Sequence, residues 1–143
     1  MSIYPVKGIK LGSTAAGIRY KDRDDLVVMQ CLPGTTAAGV FTRNRVCAAP
    51  VHVAKQHLSQ TTPRALVINA GNANAGTGEQ GMADALSRCE ALANRLDVST
   101  ETVLPFSTGV IGERLALDVL TKGLDNCIES ATDSADAWQR AAS

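Results

Sequence analysis

The sequence has 143 residues, about one domain's length and enough to bury a sizeable core. Fourteen Lys and Arg balance fourteen Asp and Glu, which argues against an electrostatic grip on nucleic acid or an anionic membrane surface. Aromatics make up only 3% beside 21 alanines and 12 glycines, so the core rests on Val, Leu, Ile and Ala and offers little surface for stacking bases.

No apolar run approaches the ~20 residues of a membrane span. The start, "MSIYPVKGIKLG", lacks a basic stretch followed by an apolar one, so the chain is read as cytoplasmic. "AAGIRYKDRDDLVVMQCLPG" reads as a strand, a charged turn at Lys21–Asp25 and a second strand at Leu26–Leu32, broken by Pro33-Gly34. A short strand is expected near Gly39–Thr42, and Val51–Leu58 fits either a strand or a short helix. "RALVINA", 64–70, is compact, apolar and β-branched, the pattern of a buried strand.

After a loop rich in glycine and asparagine the period changes. Met82, Leu86, Cys89, Ala93 and Leu96 share one helix face, leaving Asp84, Arg88, Glu90 and Arg95 on the others. "TVLPFS", 102–107, is a strand, and Leu115–Ile128 a helix with Leu117, Leu120, Leu124 and Ile128 as its stripe. Gly123 weakens that helix by roughly 1 kcal/mol relative to alanine. A last helix starts at a cap, Asp133 or Ser134, and presents Ala135, Trp138 and Ala142. Its pattern reaches the final residue, so residues 1–143 are read as one incomplete domain of an α/β or α+β protein with a mixed sheet.

The scattered Cys31, Cys47, Cys89 and Cys127 read as reduced thiols on apolar faces. His52 and His57 have no cysteine at ligand spacing, so no metal site is expected. Three stretches suggest chemistry. "GTGEQG" (Gly76, Gly78, Gly81) has the G-x-G-x-x-G form of a dinucleotide loop, although the preceding strand ends near Ala70 and "GNANA" intervenes. "PFSTG" resembles a nucleophile elbow around Ser107, but Pro105 stands where that turn needs a small residue, and both histidines lie upstream. The same knot offers the Thr108 hydroxyl and the Gly109 N–H ahead of a helix, the chemistry of an oxyanion hole. Its plain alternative is a helix cap by Ser107 or Thr108, and Ser107 is assigned that role.

Three blocks in order, "GVFTRNRVCAAPV" (39–51), "LVINAGNANAGTGEQG" (66–81) and "LPFSTGVIGERL" (104–115), resemble the N-terminal part of the ornithine acetyltransferase family of arginine biosynthesis. The likeness runs from "GIKLG" to "AWQRAA". It implies an N-terminal-nucleophile-like layered sandwich of mixed sheets flanked by helices. It also implies a precursor that cleaves itself before a threonine into α and β chains, which remain together as an α2β2 assembly. The freed threonine, activated by its own amine, carries acetyl from N-acetylornithine to glutamate. No cofactor is implied, and acetyl-CoA enters only as a co-substrate that some members accept. Of the family's catalytic positions, the oxyanion pair maps here onto Thr108 and Gly109. The nucleophile does not, so the chain alone is expected to be inactive. The reading from a different class is a small nucleotide-binding module using the "GTGEQG" loop.

Overall fold

The computed structural model describes residues 3–143. Its centre is a mixed sheet in the order β1 (Ile9–Thr14), β2 (Leu26–Cys31), β3 (Ala65–Asn69), β4 (Val103–Ser107). The pairs β1–β2 and β2–β3 are antiparallel, whereas β3–β4 is parallel. A parallel pair needs a crossover, which α2 (Gly78–Leu96) provides. The remaining helices are α1 (Ala49–Gln60), α3 (Leu117–Glu129) and α4 (Ala135–Ala141). The helices line up across the sheet: α1 and α2 on β4, α2 on β3, α3 on β2 and β1, α4 on β1. This is the mixed α/β class that the order of elements predicts.

Alternation sorts the strand residues. Leu26, Val28, Ala65, Val67 and Val103 face the helices and meet Val53, Ala85, Cys89, Leu92, Leu120, Leu124 and Cys127 in one core. All four cysteines are free thiols; Cys31, Cys89 and Cys127 are buried and Cys47 is half-buried. Burial pushes the Cys89 and Cys127 thiols up to about 12, so both are protonated at neutral pH. On the other side of the sheet Val27, Met29, Leu66 and Ile68 are only half-buried, and Phe106 is 40% exposed.

Two glycines set how closely the layers approach. A Cβ on Gly12 would run into the Cys127 carbonyl oxygen, so β1 carries a glycine where α3 crosses it. A Cβ on Gly123 would lie 2.8 Å from Leu26 Cδ2 and 2.9 Å from Ala16 Cβ. Gly123 is therefore a contact residue and not merely a weak point in the helix. Gly123→Ala should lower stability by about 1–3 kcal/mol through overpacking, where propensity alone would raise it by about 1 kcal/mol. The denaturant midpoint at unchanged m-value decides between them; a raised midpoint would mean that α3 shifts to accept the methyl.

Several expectations need correction. The first strand is not in Ala15–Tyr20 but in Ile9–Thr14. The Asp25 carboxylate accepts the N–H groups of Ala16 at 2.7 Å and Ile18 at 2.6 Å, which holds that stretch as a loop. Residues 39–42 form no strand, and Val40 is fully exposed. The ambiguous 51–58 stretch is helical, and Pro50 opens it at the first turn, where a missing N–H does no harm. In α4 the cap is Ser134, whose Oγ accepts the Ala137 N–H at 3.2 Å. No helix among the described residues is long and apolar enough to cross a membrane.

Candidate functional site

The knot at 107–112 lies where the parallel pair β3–β4 ends. Asn69 stands opposite Ser107 at the last rung. Beyond it the two segments stay together: Thr108 N–H donates to Asn69 O at 3.0 Å and Val110 N–H to Gly71 O at 3.3 Å. Ala73 N–H then donates to Val110 O at 2.9 Å and Gly112 N–H to Ala75 O at 2.7 Å. The N–H groups of Thr108 and Val110 are therefore engaged by the β3 side. The Gly109 N–H between them, and the Thr108 hydroxyl, have no acceptor among the described residues, and both residues are exposed. β4 is the sheet's edge, and unpaired N–H groups are what an edge leaves available.

Gly109 has φ +131°. A Cβ there would run into the Gly71 carbonyl carbon and lie 2.6 Å from Asn72 N. Only glycine lets the two segments lie this close.

The "NAGNANAG" loop is a buried polar scaffold. Asn69 Nδ2 donates to Asn72 O at 2.8 Å, and Asn72 Nδ2 reaches the carbonyls of Glu113 at 3.1 Å and Arg114 at 3.0 Å. Asn74, fully buried at φ 46°, donates Nδ2 to Gly81 O at 2.9 Å and accepts the Thr77 hydroxyl at 2.9 Å. Asn69 and Asn72 bond loop carbonyls outside the ladder and Asn74 ties the loop to the first turn of α2, which is how buried polar groups here are paired.

The helix above the site departs from the sequence reading. The buried face of α2 carries Gly81, Asp84, Ala85, Arg88, Cys89, Leu92 and Ala93. Leu86 is exposed, while Asp84 and Arg88, expected at the solvent, are inside. Arg88 Nη1 donates to Asn69 Oδ1 at 2.6 Å, Ser107 Oγ at 2.8 Å and Phe106 O at 3.1 Å. Burial pushes its guanidinium down to about 10, which leaves it charged at neutral pH. Asp84 Oδ1 accepts Gln80 Nε2 at 3.0 Å and Arg114 Nη2 at 3.3 Å, tying the far end of the knot to the same helix. The spacing 81, 84, 85, 88, 92 was the available signal. Arg88 lies on it between Ala85 and Leu92.

The structure also relocates the other candidates. Ser107 is the last residue of β4 and caps no helix; α3 begins at Leu117 with Ala116 at its N-cap. Thr108 and Gly109 are therefore not at the N-terminus of α3. Ser107 Oγ donates to Asn69 Oδ1 at 2.6 Å and has no histidine partner. His57 is buried with Nδ1 2.7 Å from Val103 O, and His52 is exposed on α1. In "GTGEQG", Gly81 lies inside α2, where a Cβ would run into the Thr77 hydroxyl, so this glycine serves packing. Gly76, Thr77 and Gly78 line a cavity of about 370 Å³ with Arg45, Cys47 and His52. No group of three or more His, Cys, Asp or Glu among the described residues could hold a metal ion.

Comparison with known proteins matches the chain to one family. The sequence profile described as the ArgJ family matches residues 10–142. The arginine biosynthesis bifunctional protein ArgJ of Psychrobacter arcticus is 52% identical over 99% of the chain, which covers 34% of that protein. The protein so named in Methylococcus capsulatus is 48% identical over 96% of the chain, covering 33% of its length. The chain thus spans about a third of the curated relatives it matches. Among solved structures, the ornithine acetyltransferase of Mycobacterium tuberculosis, determined with ornithine, aligns with TM-score 0.92 and 37% identity. That alignment covers 96% of this chain and 74% of the other. The Bacillus halodurans ArgJ structure aligns with TM-score 0.85 and 31% identity, over 92% of this chain and 68% of that one.

Proposed function

Because the chain belongs to the ArgJ family, whose members are arginine-biosynthesis N-acetyltransferases, we propose that it supplies the oxyanion hole of a glutamate/ornithine N-acetyltransferase. A threonine from the rest of the protein, its hydroxyl proton passing to its own α-amine, attacks the acetyl carbonyl carbon of N-acetylornithine. The carbonyl electron pair moves onto oxygen, and the Thr108 hydroxyl and Gly109 N–H donate to that oxyanion. Collapse re-forms the carbonyl and expels the ornithine amine, which takes up that proton from the threonine α-amine and leaves an acetyl-threonine. Glutamate's amine then attacks this ester, giving a proton to the threonine α-amine, through a second tetrahedral intermediate at the same donors; its collapse expels the threonine oxygen, which takes that proton back, and releases N-acetylglutamate.

The observation that carries the reading is the donor pair at the sheet edge with no acceptor among the described residues, on backbone held by four consecutive bonds between segments 69–75 and 108–112. Preorganised donors of this kind need no rearrangement when charge develops. The nucleophile comes from a β chain of the same precursor, in an α2β2 assembly, with acetyl-CoA as a co-substrate donor and no bound cofactor. Residues 1–143 act as a portion of one domain, whose half-covered sheet face (Val27, Met29, Leu66, Ile68, Phe106) receives the next layer of the sandwich.

The test is acetyl transfer by the full-length protein, followed with labelled N-acetylornithine and glutamate. Label should appear in glutamate, and an acetylated threonine should be detected by mass spectrometry on rapid quenching. Absence of both overturns the reading.

A further inference from the structure

We propose that Arg88 is a positioning residue for Thr108, holding the donor in place through Asn69 and Ser107; this rests on the oxyanion reading above. A single guanidinium nitrogen, Nη1, contacts Asn69 Oδ1 on β3 and both Ser107 Oγ and Phe106 O on β4. Ser107 Oγ bonds Asn69 Oδ1 in turn, closing a triangle between the two strand ends. The next bond along the chain is Thr108 N–H to Asn69 O, so Thr108 is attached directly to the residue that Arg88 fixes. Sideways movement of Asn69 or Ser107 would carry the hydroxyl with it.

The charge is what singles Arg88 out. It is fully buried and forms no ion pair among the described residues; Asp84, one turn earlier on α2, bonds Gln80 and Arg114 instead. Its Nε and Nη2 have no partner among the described residues. Burying an unpaired cation is costly, and neutral groups can fasten two strand ends without that penalty. An arginine here provides a rigid donor that reaches three acceptors at once, and charge-assisted bonds are shorter and stiffer than neutral ones.

The experiment uses the full-length protein with Ser107→Ala and Arg88→Lys, each alone and combined with Thr108→Ala. It reads kcat, KM and thermal midpoint. Ser107→Ala keeps Arg88 and removes one corner of the triangle, so it remains informative if Arg88→Lys fails to fold. Misplacement of the donor should lower kcat about tenfold with KM within about twofold. In the Thr108→Ala background the same change should cost less than about threefold, because the group it positions is gone. Ser107→Ala with kcat within twofold of wild type, or a loss that multiplies fully with that of Thr108→Ala, overturns the proposal while the oxyanion reading stands. Thr108→Ala without effect on kcat overturns both.

Discussion

Thr108→Ala in the full-length protein is expected to lower kcat for acetyl transfer by about 10²–10³, roughly 2.7–4 kcal/mol of transition-state stabilisation. The change should appear in kcat, with KM altered less than about twofold, because the oxygen gains its full charge only in the tetrahedral intermediate. The hydroxyl is exposed and makes no bond among the described residues, so its removal leaves no buried group unpaired. Stability should therefore move by no more than about 0.5 kcal/mol, the usual scale for such surface changes. Thr108→Ser keeps the donor and should recover most of the rate. A kcat for Thr108→Ala within a factor of two of wild type would remove the residue from the mechanism. The wrong split, an unchanged kcat with a raised KM, would make Thr108 a ground-state contact.

How far the sequence reaches depends on where the deciding force is local. β2, β3, β4 and α3 are legible because apolar runs or stripes at period 2 or 3.6 are bounded by Pro, Gly and charged turns. β1 is misplaced because 9–14 and 15–20 each carry one glycine in a mixed run, and what separates them lies outside the local pattern: the Asp25 carboxylate holds Ala16 and Ile18 as loop, while Gly12 answers to α3, more than a hundred residues away. The stripe on α2 is read too narrowly for a related reason: Cys89 and Ala93 are buried and Met82 and Leu96 pack on the core as expected, but Leu86 is exposed and the buried face widens to Asp84 and Arg88. Leu86 looks like core and Arg88 like surface, yet the open ends of β3 and β4 present Asn69, Ser107 and the Phe106 carbonyl to that helix. Satisfying those groups places an arginine inside and leaves a leucine out. The candidate donors Thr108 and Gly109 are legible from the residue types of the knot and from the family resemblance, but their setting is not. The donors belong to a sheet edge and not to a helix start. Nothing within "PFSTG" itself distinguishes those cases, since the next helix begins only at Leu117.

That relocation makes Gly109→Ala the second large effect. At a helix N-terminus an alanine in the first turn is tolerated, and a mild result would be expected. Here φ is +131°, and the added Cβ would meet backbone: the Gly71 carbonyl carbon, Asn72 N at 2.6 Å and Gly71 O at 2.7 Å. Backbone cannot rotate away as a side chain can, so the 107–112 segment must lift off 69–76. The bonds Val110 N–Gly71 O and Ala73 N–Val110 O would lengthen with it. Strain of this kind costs about 1–3 kcal/mol of stability. Both donors move at once, so the loss in kcat should reach or exceed the ~10³ upper range for one oxyanion donor. Gly112→Ala separates collision from backbone strain. Its φ is +82°, but a Cβ there would meet nothing within 4 Å. It should cost about 1 kcal/mol of stability and leave kcat within about threefold, because the contact that seats Gly109 is untouched. Equal losses of kcat in the two variants would mean that loop strain, and not the seat on Gly71, controls the donors. If Gly109→Ala instead turns over like wild type, then the N–H at 109 is not a donor to the reaction at all.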